Sequence, residues 1–120
     1  MAIVFYTNNT SQPETNNFCG SVPTSDAAEW DLKNSGAPVV NDEARSCTLL
    51  DVAQGTTIGV YDDASGSTND DYALISVKQD IVEYTISSFE KDISNSYVTL
   101  TYYKKNGLDG KISCIKTQPA

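Results

Sequence analysis

Residues 72–103, YALISVKQDIVEYTISSFEKDISNSYVTLTYY, decide the fold, because they contain three segments in which apolar and polar residues alternate. The alternating apolar positions are Ala73, Ile75 and Val77, then Val82, Tyr84 and Ile86, then Val98, Leu100 and Tyr102. A period of two is typical of a β-strand with one buried and one solvated face. The stretch therefore predicts antiparallel strands over residues 72–78, 82–89 and 97–103.

Similar short segments lie on either side of this stretch. Further strands are predicted at residues 2–6, 46–53, 57–61 and 111–117, and polar loops at residues 7–17 and 62–71. Many short strands at close spacing predict an all-β fold, an antiparallel Greek-key β-sandwich. A length of 120 residues fits one domain, residues 1–120.

Two local signals predict further elements. Residues 26–29, DAAE, resemble a capping box, which predicts one short helix near residues 27–33 with Trp30 as its core anchor. Residues 104–107, KKNG, predict a hairpin turn, because an Asn-Gly pair tolerates positive φ.

The composition excludes several classes of function. The net charge is −8 and Arg45 is the single arginine, which argues against nucleic acid or an anionic membrane surface as a partner. No apolar run is long enough to span a membrane. The start of the chain, MAIVFY, does not resemble a signal peptide, so we expect a cytoplasmic protein, or a mature secreted form with an added Met.

The chain also lacks histidine, which removes the commonest general base and the commonest zinc ligand. Pairs among the sixteen acidic residues could in principle serve glycosidase chemistry, but so many acids form pairs by chance. We therefore predict a protein that is not an enzyme.

One internal repeat is present. Residues 42–47, DEARSC, match residues 109–114, DGKISC, at their Asp, Ser and Cys positions, with an offset of 67 residues (109−42, 113−46 and 114−47). Each copy leads into a predicted strand. A repeat of this kind predicts two related halves, about 1–54 and 55–120.

The two copies resemble the (N/D)-(N/D)-x-x-(S/T)-S segment of βγ-crystallin domains, in which two Greek-key motifs pack as a sandwich. The aromatic hairpins of that family resemble Phe5 and Tyr6 followed by residues 18–21 in the first half, and Tyr61 and Tyr72 in the second. The chain departs from the family in several ways. Each half is longer than a usual motif, the second half has one strand too many, Leu74 stands where the hairpin Gly is expected, and each segment ends in Cys instead of Ser.

The resemblance implies weak or vestigial binding of calcium (Ca2+), which prefers oxygen ligands. Carried over by position, the implied metal ligands are Asp42, Glu43 and Ser46 in one copy, Asp109 and Ser113 in the other, and Asp62 and Asp63 in the second hairpin. Gly110 replaces an acidic residue, so the second copy is expected to bind more weakly. The alternative is that these segments are ordinary turns, because Asp and Ser side chains bond their own backbone.

The resemblance also implies a disulfide between Cys19 and Cys47, with Cys114 left as a thiol. The alternative is three reduced cysteines that act as small buried hydrophobic residues.

Two functions are consistent with these observations. The first is a βγ-crystallin-like structural or stress-related domain. The second is a secreted recognition module for carbohydrate or protein, such as a toxin or effector, in which Tyr72, Tyr97 and Tyr103 form an exposed platform for a sugar.

Overall fold

Ten β-strands form in the part of the chain that the computed structural model describes, residues 1–9 and 17–120. They are β1 (Ala2–Tyr6), β2 (Phe18–Pro23), β3 (Ala28–Asp31), β4 (Ser46–Val52), β5 (Thr57–Tyr61), β6 (Tyr72–Val77), β7 (Ile81–Ile86), β8 (Ile93–Ser94), β9 (Val98–Tyr103) and β10 (Cys114–Gln118). The predicted all-β class is confirmed. Most of the predicted loop at residues 7–17 lies outside the described residues.

The strands form two antiparallel sheets. The smaller sheet has the order β2-β1-β4-β7, and the larger sheet has the order β3-β10-β5-β6-β9-β8. β7 belongs to the second half but lies beside β4 of the first half, whereas β3 of the first half lies beside β10 of the second. Each half therefore gives its third strand to the sheet of the other half, and the β8–β9 hairpin widens the larger sheet.

The core lies between the two sheets and contains side chains from both. It includes Ile3, Phe5, Leu49 and Ile86 from the smaller sheet and Ile58, Val60, Ile75, Leu100 and Ile115 from the larger one. The predicted buried faces of β6 and β9 are confirmed, with Tyr102 only partly buried. Burying these side chains contributes about 25 cal/mol per Å² of apolar surface and is the main stabilising contribution to such a fold.

The predicted buried face of β7 is only partly correct. Ile86 is buried and Tyr84 packs against the core, but Val82 is 80% exposed and Ile81 is buried in its place. Asp51 on the neighbouring strand β4 has a φ of 50°, which breaks the regular alternation beside Val82.

The predicted helix at residues 27–33 is wrong. Residues 28–31 form β3, where Trp30 pairs with Ile115 of β10 and packs partly buried against the core. The capping-box pattern is a local preference, and pairing with a distant strand overrides it because that pairing buries apolar surface.

The predicted hairpin turn at residues 104–107 is also wrong. This segment follows β9, but β5 and β6 lie between β9 and the next strand, β10. The chain therefore crosses one end of the sandwich after Tyr103 instead of folding back on itself.

Candidate functional site

The loops that precede the last strand of each half lie side by side. The first loop comprises residues 41–45, and the second loop comprises residues 109–113. The Asp42 N–H donates to the Ile112 carbonyl at 3.1 Å, and the Gly110 N–H donates to the Ala44 carbonyl at 2.9 Å. Because these contacts are reciprocal, the two repeats meet at one junction between the halves.

The backbone aligns the two loops one residue differently from the sequence repeat. Ser46 and Cys114 each open the last strand of their half, and each pairs with the last residue of that half's first strand. Asp42 and Gly110 both have positive φ, at 62° and 78°. The structural offset is therefore 68 residues (114−46 and 110−42). The offset of 67 matched residue types but not backbone positions.

This alignment makes the two sides of the junction chemically different. Ser113 corresponds to Arg45, and Asp42 corresponds to Gly110. One side has a hydroxyl beside a carboxylate, and the other has a guanidinium beside a residue without a side chain. The hydroxyl expected in the first copy at Ser46 is thus replaced by Arg45 at the corresponding position.

The first side of the junction gathers oxygen atoms from both halves. The buried Ser113 Oγ donates to Asp42 Oδ1 at 3.1 Å. In the β5–β6 loop, Asp62, Asp70 and Asp71 have carboxylate oxygens within 4.8 Å of one another. We name the group formed by Asp42, Ser113, Asp62, Asp70 and Asp71 the acidic crossing.

Electrostatics connect the members of the acidic crossing. Burial raises the pKa of Asp62, and the nearby carboxylate of Asp70 adds to the rise. The Lys111 ammonium lowers this pKa, whereas Asp71 and Asp42 raise it further. Asp62 therefore lies in a field of negative charge, to which Asp42 of the other half contributes.

Asp71 supplies charge to this crossing, but its oxygens are already engaged. Its side chain is 0% exposed and accepts hydrogen bonds from the Tyr102 hydroxyl at 2.5 Å and from the Asn106 and Gly107 N–H groups, both at 2.8 Å. The Lys105 N–H is a further donor. A carboxylate has about four lone-pair sites, so these donors saturate it. Burial alone raises the pKa of Asp71, but the hydrogen bonds outweigh burial and hold this pKa at about 2.

Two of the predicted ligands point elsewhere. The Asp63 carboxylate caps its own loop, where it accepts the Ser65 N–H at 2.9 Å and the Ser67 N–H at 3.2 Å. Glu43 is exposed, and its charge acts on Cys19 of β2. The acidic crossing therefore contains Asp42, Asp62 and Ser113 from the predicted set but neither Asp63 nor Glu43.

The second side of the junction is built around a cation. The Arg45 guanidinium lies over Gly110, where an added Cβ would be 3.1 Å from Nη2. The absence of a side chain at Gly110 leaves the space that Arg45 uses. We name this pair the arginine crossing.

The predicted ligands on this side make hydrogen bonds within the chain. Asp109 accepts hydrogen bonds from the Asn9 amide at 2.7 Å and from the Ser88 hydroxyl at 3.0 Å. Burial raises the pKa of Asp109, and these two hydrogen bonds oppose the rise. Ser46 Oγ donates to the carbonyl of Asn8. Asp109 and Ser46 therefore hold Asn8 and Asn9, which follow β1, against the junction.

Both sides of the junction also contain a buried side-chain oxygen that has no hydrogen-bond donor among residues 1–9 and 17–120. These atoms are Oδ1 of Asn41, which precedes Asp42, and Oδ1 of Asn8. A buried acceptor without a partner is costly, and water or a cation can satisfy it. Sequence reasoning named Asp70 and Asp71 only as part of the polar loop at residues 62–71, whose four Asp residues make it a secondary candidate for a cation site. It missed Asn41, although the Asn41-Asp42 pair fits the start of the family pattern and would have indicated the structural register.

The predicted Cys19–Cys47 disulfide is not formed. β1 lies between the strands that carry these residues, and two interstrand spacings amount to about 9.5 Å. A disulfide requires Cα atoms within about 7 Å. All three cysteines are buried thiols, and burial raises the pKa of Cys19 to about 12. They act as small core residues, as the alternative prediction held.

The three tyrosines of the predicted sugar platform do not come together. Tyr72 and Tyr103 stack on each other at 4.3 Å between ring centroids, and Tyr61 stacks on Tyr72 at 5.8 Å. Tyr97 instead stacks on Tyr84 of the smaller sheet at 5.6 Å. Tyr97 and Tyr103 lie roughly 20 Å apart along β9, because each residue of a strand adds about 3.3 Å.

Comparison of the chain with protein-family models, with curated proteins and with solved structures gave no match. Across residues 1–9 and 17–120, no helix is long and apolar enough to cross a membrane.

Proposed function

We propose that this protein is a non-catalytic, βγ-crystallin-like structural domain that binds calcium weakly at the acidic crossing. The observation that carries the proposal is the 3.1 Å contact between Ser113 and Asp42, which joins the two halves beside Asp62 and Asp70. A hydroxyl and several carboxylates at one place form an oxygen-rich ligand set of the kind that calcium prefers.

The strand arrangement supports the family assignment. A double Greek-key domain packs two four-stranded motifs into a sandwich. Here the third strands, β3 and β7, are exchanged between the sheets, and the last strands, β4 and β10, both start at the junction. The β8–β9 hairpin is the additional element that distinguishes the second half.

The local charges argue for weak binding. Calcium requires six to eight oxygens, and the saturated Asp71 carboxylate contributes charge without a free oxygen. Asp42, Ser113, Asp62 and Asp70 would need main-chain carbonyls and water to complete the shell. The positive charge of Lys111 also offsets part of the negative charge at Asp62 that would attract a cation. We expect a dissociation constant of about 10⁻⁴ to 10⁻³ M, the range of extracellular calcium modules.

Thermal melting in calcium against excess EGTA tests this proposal. A tenfold excess over the dissociation constant adds about 1.4 kcal/mol to the free energy of unfolding. This should raise Tm by roughly 4 to 8 °C. We expect Asp62→Asn to abolish the rise, because Asp62 faces the other carboxylates of the acidic crossing.

Asp63→Asn is the matched control, since it removes the same charge one position along the chain while its side chain caps its own loop. This variant should keep the calcium-dependent rise in Tm. Equal loss in both variants would indicate a general charge effect, and no rise in the unmodified protein would refute calcium binding.

Lys111→Gln should tighten calcium binding by about two- to fivefold, because an exposed charge near a site contributes up to about 1 kcal/mol. Isothermal titration calorimetry measures the change. Lys78→Gln makes the same change in net charge just beyond the end of β6 farthest from the acidic crossing, so its affinity should stay near that of the unmodified protein. Equal affinities for both variants would show that Lys111 does not act on the site.

A recognition module for carbohydrate is the second candidate function. Tyr103 is 41% exposed and lies at the end of the tyrosine stack. On the same outer face of the larger sheet lies an open pocket of about 340 Å³, whose lining includes Glu29, Leu74 and Lys116. Tyr61 lines this pocket, and the stack leads from Tyr61 through Tyr72 to Tyr103. Aromatic rings that continue from a pocket with polar groups are a common way to bind a sugar. Binding on a glycan array that Tyr103→Ala removes would favour this function.

A further inference from the structure

The segment after β9 contains an Asn-Gly pair, Asn106-Gly107, in which Asn106 is exposed. Asparagine is thermolabile, and an exposed Asn followed by Gly offers little steric hindrance to attack by the following backbone nitrogen. In that reaction the Gly107 nitrogen loses its proton to solvent base and bonds to the side-chain carbonyl carbon of Asn106. Ammonia leaves with the side-chain nitrogen, and water opens the resulting succinimide to aspartate or isoaspartate.

Asp71 holds the nitrogen that this reaction needs. The Gly107 N–H donates to Asp71 Oδ2 at 2.8 Å, and the Asn106 N–H donates to Oδ1 at 2.8 Å. The in-plane direction from which the nitrogen would attack therefore points at Asp71 and away from the Asn106 side chain. Asp71 is fully buried and is itself held by Tyr102, so this arrangement cannot rotate freely.

We propose that Asn106 is a latent deamidation site, which the two hydrogen bonds from the 106–107 backbone to the buried Asp71 carboxylate protect. The site reacts only when these hydrogen bonds open. Reaction places a new carboxylate near Asp71, and isoaspartate also lengthens the backbone by one methylene group. Both changes oppose re-formation of the contact, so the modification is expected to persist and to loosen the segment between β9 and the second loop.

Peptide mapping by mass spectrometry, which separates the aspartate and isoaspartate products, tests the proposal on the full chain. Incubation of the unmodified protein in buffer and in guanidinium chloride at the same pH and temperature gives the first comparison. We expect deamidation at Asn106 to be at least about tenfold slower in the native protein, because it requires local opening. Equal rates in the two conditions would overturn the proposal without any variant.

Asp71→Asn, incubated under native conditions, gives the second comparison. The expected result is faster deamidation at Asn106 than in Gly20→Ala, a variant that we expect to destabilise the fold away from this segment. Equal acceleration in both variants would mean that global unfolding controls the reaction, and slower deamidation in Asp71→Asn would mean that the carboxylate acts as a base. Either result would overturn the proposal. Because calcium does not enter these measurements, their outcome is independent of the proposed calcium site.

Discussion

Asp71→Ala is expected to lower the free energy of unfolding by about 3 to 5 kcal/mol, because it removes a fully buried acceptor shared by several partly buried donors and leaves a cavity in its place. The donors are the Tyr102 hydroxyl and the N–H groups of Asn106 and Gly107, and their common acceptor is fully buried. These hydrogen bonds tie the β5–β6 loop to the segment after β9. Urea unfolding followed by circular dichroism measures the loss.

Asp80→Ala is the matched control for this prediction. Asp80 is an exposed carboxylate that accepts the Gln54 N–H at 2.9 Å. We expect its replacement to cost less than about 1 kcal/mol, because water can satisfy the donor that it leaves. A similar loss in the two variants would show that the Asp71 hydrogen bonds do not stabilise the fold.

The Asp71 contribution should also depend on pH. The hydrogen bonds hold the folded-state pKa at about 2, below the ordinary value of 3.8. A carboxyl with a depressed pKa stabilises the fold above its unfolded pKa, and this stabilisation is lost as the pH falls through the folded pKa. The difference in stability between the unmodified protein and Asp71→Ala should therefore be full at pH 6 and shrink between about pH 4 and pH 2. A constant difference over this range would contradict the assignment.

The sequence predicts the sandwich because its strongest signals are repeated alternations of apolar residues. β6 and β9 have this pattern, and the apolar side chains predicted to face the core are buried, with Tyr102 only partly buried. β3 and β8 were missed as strands because each is short, with four and two residues. A short strand depends on its partner, and the pairing of β3 with β10 joins segments more than 80 residues apart, which no local window contains.

The candidate site could be predicted only in part, because the alignment of the two repeats by sequence differs by one residue from their alignment by backbone position. When the repeats are aligned by residue type, Ser46 matches Ser113. When they are aligned by backbone contacts, Arg45 matches Ser113, because the N–H of each donates to the last residue of the first strand in its half. Shifting the alignment by one residue therefore replaces the Ser46 hydroxyl, an oxygen ligand, with the Arg45 guanidinium, a cation. Sequence similarity between the repeats therefore located the junction, but three-dimensional contacts were needed to distinguish its acidic side from its basic side.

Gly20→Ala is expected to cost about 3 kcal/mol or more of unfolding free energy, because the added Cβ meets backbone that cannot move aside independently. Gly20 has a φ of 136°, and a Cβ there would lie 2.2 Å from the Pro38 carbonyl oxygen and 2.6 Å from Val39 Cα. Gly20 also forms a β-bridge to Val39 and pairs with Phe5 of β1. Thermal and urea unfolding both report the loss.

Gly36→Ala separates the two causes of this effect. Gly36 also has a positive φ, 80°, but an added Cβ would have no neighbouring atom within 4 Å. Its replacement should cost only the backbone strain of a non-glycine residue in this region, about 1 kcal/mol. If the two variants lose the same stability, the segment at residues 38–39 yields to the new side chain, and the close approach does not fix β2. A larger loss at Gly20 would instead show that the close contact with residues 38–39 holds the first hairpin against the segment that leads to the junction. Glycine would then be required at position 20 both for its positive φ and for the lack of space for a side chain.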